Sequence, residues 1–119
     1  MTQAKDAVGA YGERVALVHL VEQGMVVLDR NWRCGTGEID LILRDGSDLV
    51  FCEVKTRRTD RFGTPAEAVD ESKVRRLRHL AALWLAEAGL RPGGVRFDVV
   101  SVLPQRSGAA RVEHIRGAF

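Results

Sequence analysis

Asp40, Glu53 and Lys55 are the residues whose types and spacing could do chemistry: an Asp, twelve residues, a Glu, one apolar residue and a Lys. Paired carboxylates can hold a hard divalent cation through oxygen, and an amine beside them can carry charge or a proton. Whether they meet depends on the stretch 37–57, GEIDLILRDGSDLVFCEVKTR. Two runs rich in Ile, Leu, Val and Phe flank the polar cluster Asp45, Gly46, Ser47 and Asp48, which is the pattern of a β-hairpin. With Gly46 and Ser47 as the loop and Gly first, as a type II′ turn prefers, opposite residues have numbers that sum to 93.

Side-chain alternation supports that register. One face collects Ile39, Leu41 and Leu43 against Val54, Cys52 and Val50, an apolar surface for a core. The other sets Asp40 across from Glu53 and Glu38 across from Lys55, with Ile42, Phe51 and Leu49 covering its far end. Like charges directly opposite one another are destabilising. A shared proton, the Lys55 ammonium or a divalent cation could offset the repulsion, and a cation with Lys55 beside it suits neutral pH best. An ion pair with Lys55 accounts for Glu38.

The elements that must position these groups are legible on either side. Ala4 to Gln23 reads as a helix ended by Gly24, with Ala16, Leu17, Leu20 and Val21 as its apolar stripe. Glu13 extends that stripe by one turn, where a carboxylate is either an edge residue that reaches solvent or a functional group aimed into a cleft, and position alone favours the edge. Met25 to Trp32 reads as a short strand and 33–36 as a turn into the hairpin. After Lys55 comes a loop to Val69 with little apolar periodicity, of the length that is functional or disordered in a compact domain. A helix from Glu71 to Ala88 follows, capped by Asp or Ser and left at Gly89, with Val74, Leu77, Ala81, Trp84, Leu85 and Ala88 as its stripe. Its opening turns carry Lys73, Arg75, Arg76 and Arg78, where the helix dipole disfavours cations. With Lys55, Arg57, Arg58 and Arg61 they make eight cations between 55 and 79 against four carboxylates, a patch suited to phosphate. Val95 to Leu103 and Arg111 to Ile115 read as the last strands. The order α-β-β-β-α-β-β implies an α/β fold with a mixed sheet, the long helix crossing from the third strand to the fourth.

Length and composition bound the rest. At 119 residues, 45% hydrophobic and 29% charged, residues 1–119 suit one globular domain, and a net charge of +2 does not by itself call for nucleic acid. The first 25 residues carry scattered charges, with apolar runs no longer than four, which argues against a secretory signal. No stretch suits a membrane span. Cys34 and Cys52 lack metal-site spacing and read as free thiols of a reducing cytoplasm. His19, His79 and His114 are dispersed and read as structural or surface residues.

The spacing from Asp40 to Lys55 resembles the core of the PD-(D/E)xK nuclease superfamily. GEIDLI at 37–42, FCEVKTR at 51–57, FGTPAEAV at 62–69, RFDVV at 96–100 and HIRGAF at 114–119 look like the YraN family of bacterial proteins, itself similar to archaeal Holliday junction resolvases. The resemblance implies a restriction-endonuclease-like α/β/α sandwich. It implies Mg²⁺ or Mn²⁺ on Asp40, Glu53 and the carbonyl of Val54, Lys55 acting on the attacking water, and Glu13 as the helix-borne acid completing the catalytic set. The activity it implies is metal-dependent hydrolysis of a phosphodiester in branched or otherwise structured DNA, in the cytoplasm, and a two-fold homodimer would suit a symmetric junction. The superfamily's Pro-Asp pair is here Ile39-Asp40. Two rival classes stand beside the nuclease: a nucleic-acid-binding module that has lost the chemistry, and a protein that docks a partner through the 57–69 loop, of which Phe62 is the one hint.

Overall fold

The hairpin forms around the polar cluster as its turn chemistry requires. In the computed structural model, which describes residues 7–57 and 70–119, β2 (Gly37–Asp45) and β3 (Asp48–Thr56) pair antiparallel from Leu41↔Cys52 to Asp45↔Asp48. Gly46 has φ 62°, and among the described non-glycine residues only Asn31 has a positive φ. Positive φ at the first loop residue but not at Ser47 fits the type II′ turn and excludes type I′.

Around the hairpin stand α1 (Ala7–Glu22), β1 (Val26–Cys34), α2 (Glu71–Ala88), β4 (Gly94–Leu103) and β5 (Arg111–Ile115). The sheet order is β1-β2-β3-β4-β5; β3 and β4 run parallel and the other neighbours antiparallel. A parallel pair needs a crossover, and α2 supplies it. That helix starts where the Asp70 carboxylate accepts the N–H of Lys73 at 2.8 Å and stops where Gly89, at φ 69°, donates its N–H to the Leu85 carbonyl at 3.0 Å.

Among the described residues, one helix packs on each face of the sheet. Ala16 and Leu20 of α1 pack on Leu41, Leu43, Val50, Cys52, Val100 and Val102. Leu77, Leu80, Ala81 and Trp84 of α2 pack on Ile42, Leu49, Phe51 and Phe97. The result is the α/β/α sandwich with a mixed sheet that the sequence implies. Within α1 the inner face is Gly12, Glu13, Ala16 and Leu20, while Val21, placed on the stripe by sequence, is exposed. Among the described residues no helix is long and apolar enough to cross a membrane.

One residue departs from simple alternation. Ile39, expected beside Leu41 on the α1 side, packs instead with Ile42 and Leu80 on the α2 side. The paired stretch of β2 and β3 ends at Leu41↔Cys52. On the other flank, between the pairs Arg30↔Leu41 and Trp32↔Ile39, Asn31 leaves the strand region at φ 52°. Ile39 and Leu41 thus pack on opposite faces, so simple alternation ends at Asp40 between them.

Candidate active site

Asp40 stands where simple alternation ends. Beyond the last ladder pair its Oδ2 accepts the N–H of Val54 at 2.8 Å, so the carboxylate reaches onto the backbone of β3 beside Glu53. Asp40 and Glu53 are each only 8% exposed. A carboxylate so far from water must be hydrogen-bonded or paired. Asp40 thus meets β3 through a backbone bond, where the register alone implies a bare pair of opposed charges.

Glu53 is paired from two directions. Its Oε1 lies 3.4 Å from Lys55 Nζ, two residues along the same strand, and 2.5 Å from Lys73 Nζ in the first turn of α2. Burial would lower Lys73, but the hydrogen bond to Glu53 and the nearby charges of Glu53 and Asp40 outweigh it and hold the ammonium above its ordinary pKa. Lys55 goes the other way: burial, then the ammonium of Lys73 beside it, pull it below its ordinary value against the attraction of Glu53. Asp40, Glu53, Lys55 and Lys73 therefore form one electrostatic unit at the α2 side of the strand ends. Burial, with the charges of Asp98, Asp40 and Glu53 added, pushes the Cys52 thiol well above its ordinary range, which fits a core residue.

Glu13, 5% exposed, lies on the inner face of α1. Its neighbour Gly12 lets the helix approach very closely: a Cβ at position 12 would come within 1.7 Å of Thr56 Oγ1 and 2.8 Å of Thr56 Cβ. Since Thr56 follows Lys55, α1 is pressed against the end of β3 that bears the acids. Among the described residues, however, no three His, Cys, Asp or Glu side chains gather as they would around a metal ion, so Glu13 does not join Asp40 and Glu53 as a third ligand. Glu38, expected on Lys55, instead makes a 2.7 Å ion pair with Arg33 of β1, its ladder partner.

As a cation site the donor set is coherent. Asp40 and Glu53 offer hard carboxylate oxygens, and Mg²⁺ is held through one or two carboxylates while keeping several waters. A single hydrogen bond does not exhaust the acceptor sites of a carboxylate. The residues present fit Mg²⁺ or Mn²⁺ in chemistry, with the two lysines now balancing the acids' charge.

The expected phosphate-binding residues have separate fates. Arg58 and Arg61, with Phe62 and the rest of the 58–69 segment, lie outside the described residues. Arg57 follows β3, its N–H bound to the Val102 carbonyl at 2.9 Å. Arg75, Arg76 and Arg78 are exposed on α2, and the Arg78 guanidinium sits 5.5 Å from the centre of the Phe97 ring. Lys73 is not on that exposed surface, because Glu53 holds it.

A second polar centre surrounds Asp98, which is fully buried. Arg96 donates to it from Nε at 2.9 Å and Nη2 at 3.1 Å, the Gly117 N–H donates at 3.0 Å, and His114 Nε2 lies 2.8 Å from Oδ2. Burial would raise this carboxyl, but His114, Arg96 and Gly117 together hold it below its ordinary value. The Ala118 N–H on the Phe97 carbonyl and the Phe119 ring stacked 5.3 Å from Phe97 complete a clasp. RFDVV and HIRGAF, two of the stretches that carry the family likeness, therefore hold one another and fasten the last residues to β4.

Comparison with known proteins bears on the whole chain. A sequence model of the uncharacterised protein family UPF0102 matches residues 12–102, which bears out the YraN likeness. A UPF0102 protein of Frankia alni is 61% identical over 117 residues, 98% of this chain and 98% of the relative. One of Beutenbergia cavernae is 60% identical over 115 residues, 97% of this chain and 98% of the relative. Among solved structures, that of Pyrococcus furiosus SfsA in complex with Ca²⁺ is similar at 18% identity and a TM-score of 0.40, covering 91% of this chain and 62% of that one.

Proposed function

We propose that this chain, which belongs to the uncharacterised protein family UPF0102, is a metal-dependent DNA endonuclease that hydrolyses a phosphodiester in branched or otherwise structured DNA. The observation that carries the reading is the pair of nearly buried carboxylates, Asp40 and Glu53, with the Lys55 amine on the second of them. Such a concentration of buried charge is expensive for a fold to keep, which supports a functional role for the pair.

In this reading Asp40 and Glu53, with the carbonyl of Val54, hold Mg²⁺ or Mn²⁺. When bound, such a cation would supply Lewis-acid chemistry at the scissile phosphate and to the attacking water. Lys55 Nζ, whose proton is loosened by burial and by Lys73, orients the attacking water and meets charge developing on the phosphoryl oxygens. Hydrolysis joins a water oxygen to phosphorus and releases one sugar oxygen with its proton. Glu13, buried at the same end of the sheet, acts from behind the strands as a positioning acid. Arg57, Arg58, Arg61, Arg75, Arg76 and Arg78 hold the DNA by its phosphates, which positions a protein without reading sequence. A cytoplasmic homodimer would present two such sites to a symmetric junction.

One observation favours a second reading: Glu53 is already neutralised by two lysines. A nucleic-acid-binding or partner-docking protein that keeps the fold without the chemistry would be charge-balanced in the same way. Cleavage assays on branched and linear DNAs with Mg²⁺ or Mn²⁺, using Asp40→Asn as control, separate the two. The Asn carbonyl can still accept the Val54 N–H, so this variant should fold. Cleavage by the wild type and none by the variant is expected. No cleavage of any substrate, with no divalent cation bound, would leave the non-catalytic reading.

A further inference from the structure

The two ammonium groups on Glu53 are not equivalent. Lys55 belongs to the same strand and reaches Oε1 only at 3.4 Å, whereas Lys73 arrives from α2 and closes to 2.5 Å. Lys73 stands one helical turn before Leu77 on the face continued by Leu80, Ala81 and Trp84, so its stem is directed at the sheet and its side chain is only 19% exposed. Its ammonium also feels the charge of Asp40. It therefore occupies, from the helix side, the position of positive charge that both acids require.

We propose that Lys73 is the resident counter-ion of the site: it holds Glu53 Oε1 when no divalent cation is bound, and a cation must displace it. This rests on the metal-binding reading given above. An ammonium on Oε1 at 2.5 Å neutralises the charge a cation needs and repels a cation brought to the same carboxylate, so Glu53 serves as a full metal ligand only when that ion pair opens. Lys73 thereby lowers the apparent cation affinity by the fraction of time that Glu53 is released. If that fraction is about one tenth, the apparent Kd is raised about tenfold. The displaced amine stays on the helix that carries Arg75, Arg76 and Arg78, where a DNA phosphate is its natural next partner. Phosphate would then favour cation binding and cation would favour phosphate, as reciprocity requires.

The test is calorimetric titration of Mn²⁺, and separately Mg²⁺, into the wild type, Lys73→Met, Lys73→Gln and Lys73→Arg, all without DNA. Lys73→Met keeps the length of the stem without its charge, and Lys73→Gln provides a second uncharged variant should the first fold poorly. Both should bind Mn²⁺ about tenfold more tightly than wild type, by the occupancy argument above, and melt at lower temperature in chelator. Lys73→Arg should restore the weaker affinity. Wild type and uncharged variants binding with the same Kd would overturn the displacement role alone. If none of the four proteins binds a divalent cation, the metal-binding reading falls and the displacement role with it.

Discussion

Gly12→Ala is the substitution for which simple helix rules and the structure disagree in sign. In an exposed helix interior, Ala is more favourable than Gly by about 1 kcal/mol. At position 12, however, the new methyl would stand 1.7 Å from Thr56 Oγ1, 2.8 Å from Thr56 Cβ and 3.0 Å from Thr56 Cγ2. Rotating χ1 of Thr56 moves the hydroxyl but cannot move its Cβ, so α1 or the end of β3 must shift. Overpacking of this kind costs typically about 1–3 kcal/mol, and an overlap this deep belongs at the upper end. Setting about 3 kcal/mol of strain against about 1 kcal/mol of propensity leaves a net loss of about 2 kcal/mol. For a chain of this length that is a Tm lower by roughly 6 to 10 °C.

Circular dichroism melts in chelator measure the effect. Thr56→Ala removes Oγ1 and Cγ2 but not Cβ, so the double variant should recover part of the stability and show coupling between the two sites. A Gly12→Ala protein that melts at or above wild type would refute the close approach of α1 to β3, and with it the placement of Glu13 near the acidic strand ends.

Other outcomes follow from the same geometry. Lys55→Ala should leave Mg²⁺ affinity nearly unchanged while cleavage falls by orders of magnitude, because its 3.4 Å ion pair with Glu53 is the weaker of the two; titration paired with a cleavage assay decides it. Replacing Arg75, Arg76 and Arg78 by Ala should weaken binding to unrelated DNA sequences alike. It should also flatten the slope of log K against log salt by roughly 0.9 for each DNA phosphate that is no longer neutralised. Asp98 is held below its ordinary pKa in the folded state. Its stabilising contribution is therefore complete above the unfolded value of about 3.9 and disappears as pH falls through the lower folded value. Asp98→Asn should be less stable at neutral pH and lack that part of the acid decline. Urea midpoints measured from neutral pH down to about pH 2 will show it.

The local signals in the chain carry further than the non-local ones. Asp45, Gly46, Ser47 and Asp48 specify the turn and hence the register of the paired stretch, because a two-residue loop leaves one way to pair. Asp70 and Gly89 bound α2 at the residues expected from capping chemistry. Two departures come from β1, the strand on the far side of β2, which the β2–β3 hairpin does not specify. Glu38 chooses Arg33 because β1, and not only β3, flanks β2. Ile39 changes face beside Asp40, which lies opposite Asn31 between the pairs Arg30↔Leu41 and Trp32↔Ile39. Neither partner can be inferred from the hairpin considered alone.

Lys73 is a different case, since its signal is local and present. Counted with Arg75, Arg76 and Arg78 it belongs to a basic patch, and charge counting assigns every member of a patch to solvent or phosphate. Periodicity separates them: 73, 77, 80, 81 and 84 share one face of a 3.6-residue helix, and the last four are its buried residues. A cation one turn beyond a buried stripe is directed along the covered face of the sheet, toward whatever the strand ends carry, and here that is Glu53. The same alignment holds for Glu13, one turn before Ala16 and Leu20 on the buried face of α1. A charged residue in line with a core stripe is thus better read as aimed at the end of the sheet its helix covers than as an edge residue. Among the described residues both helices direct such a residue inward, one on each face: Lys73 meets Glu53, and Glu13 is buried on the inner face of α1.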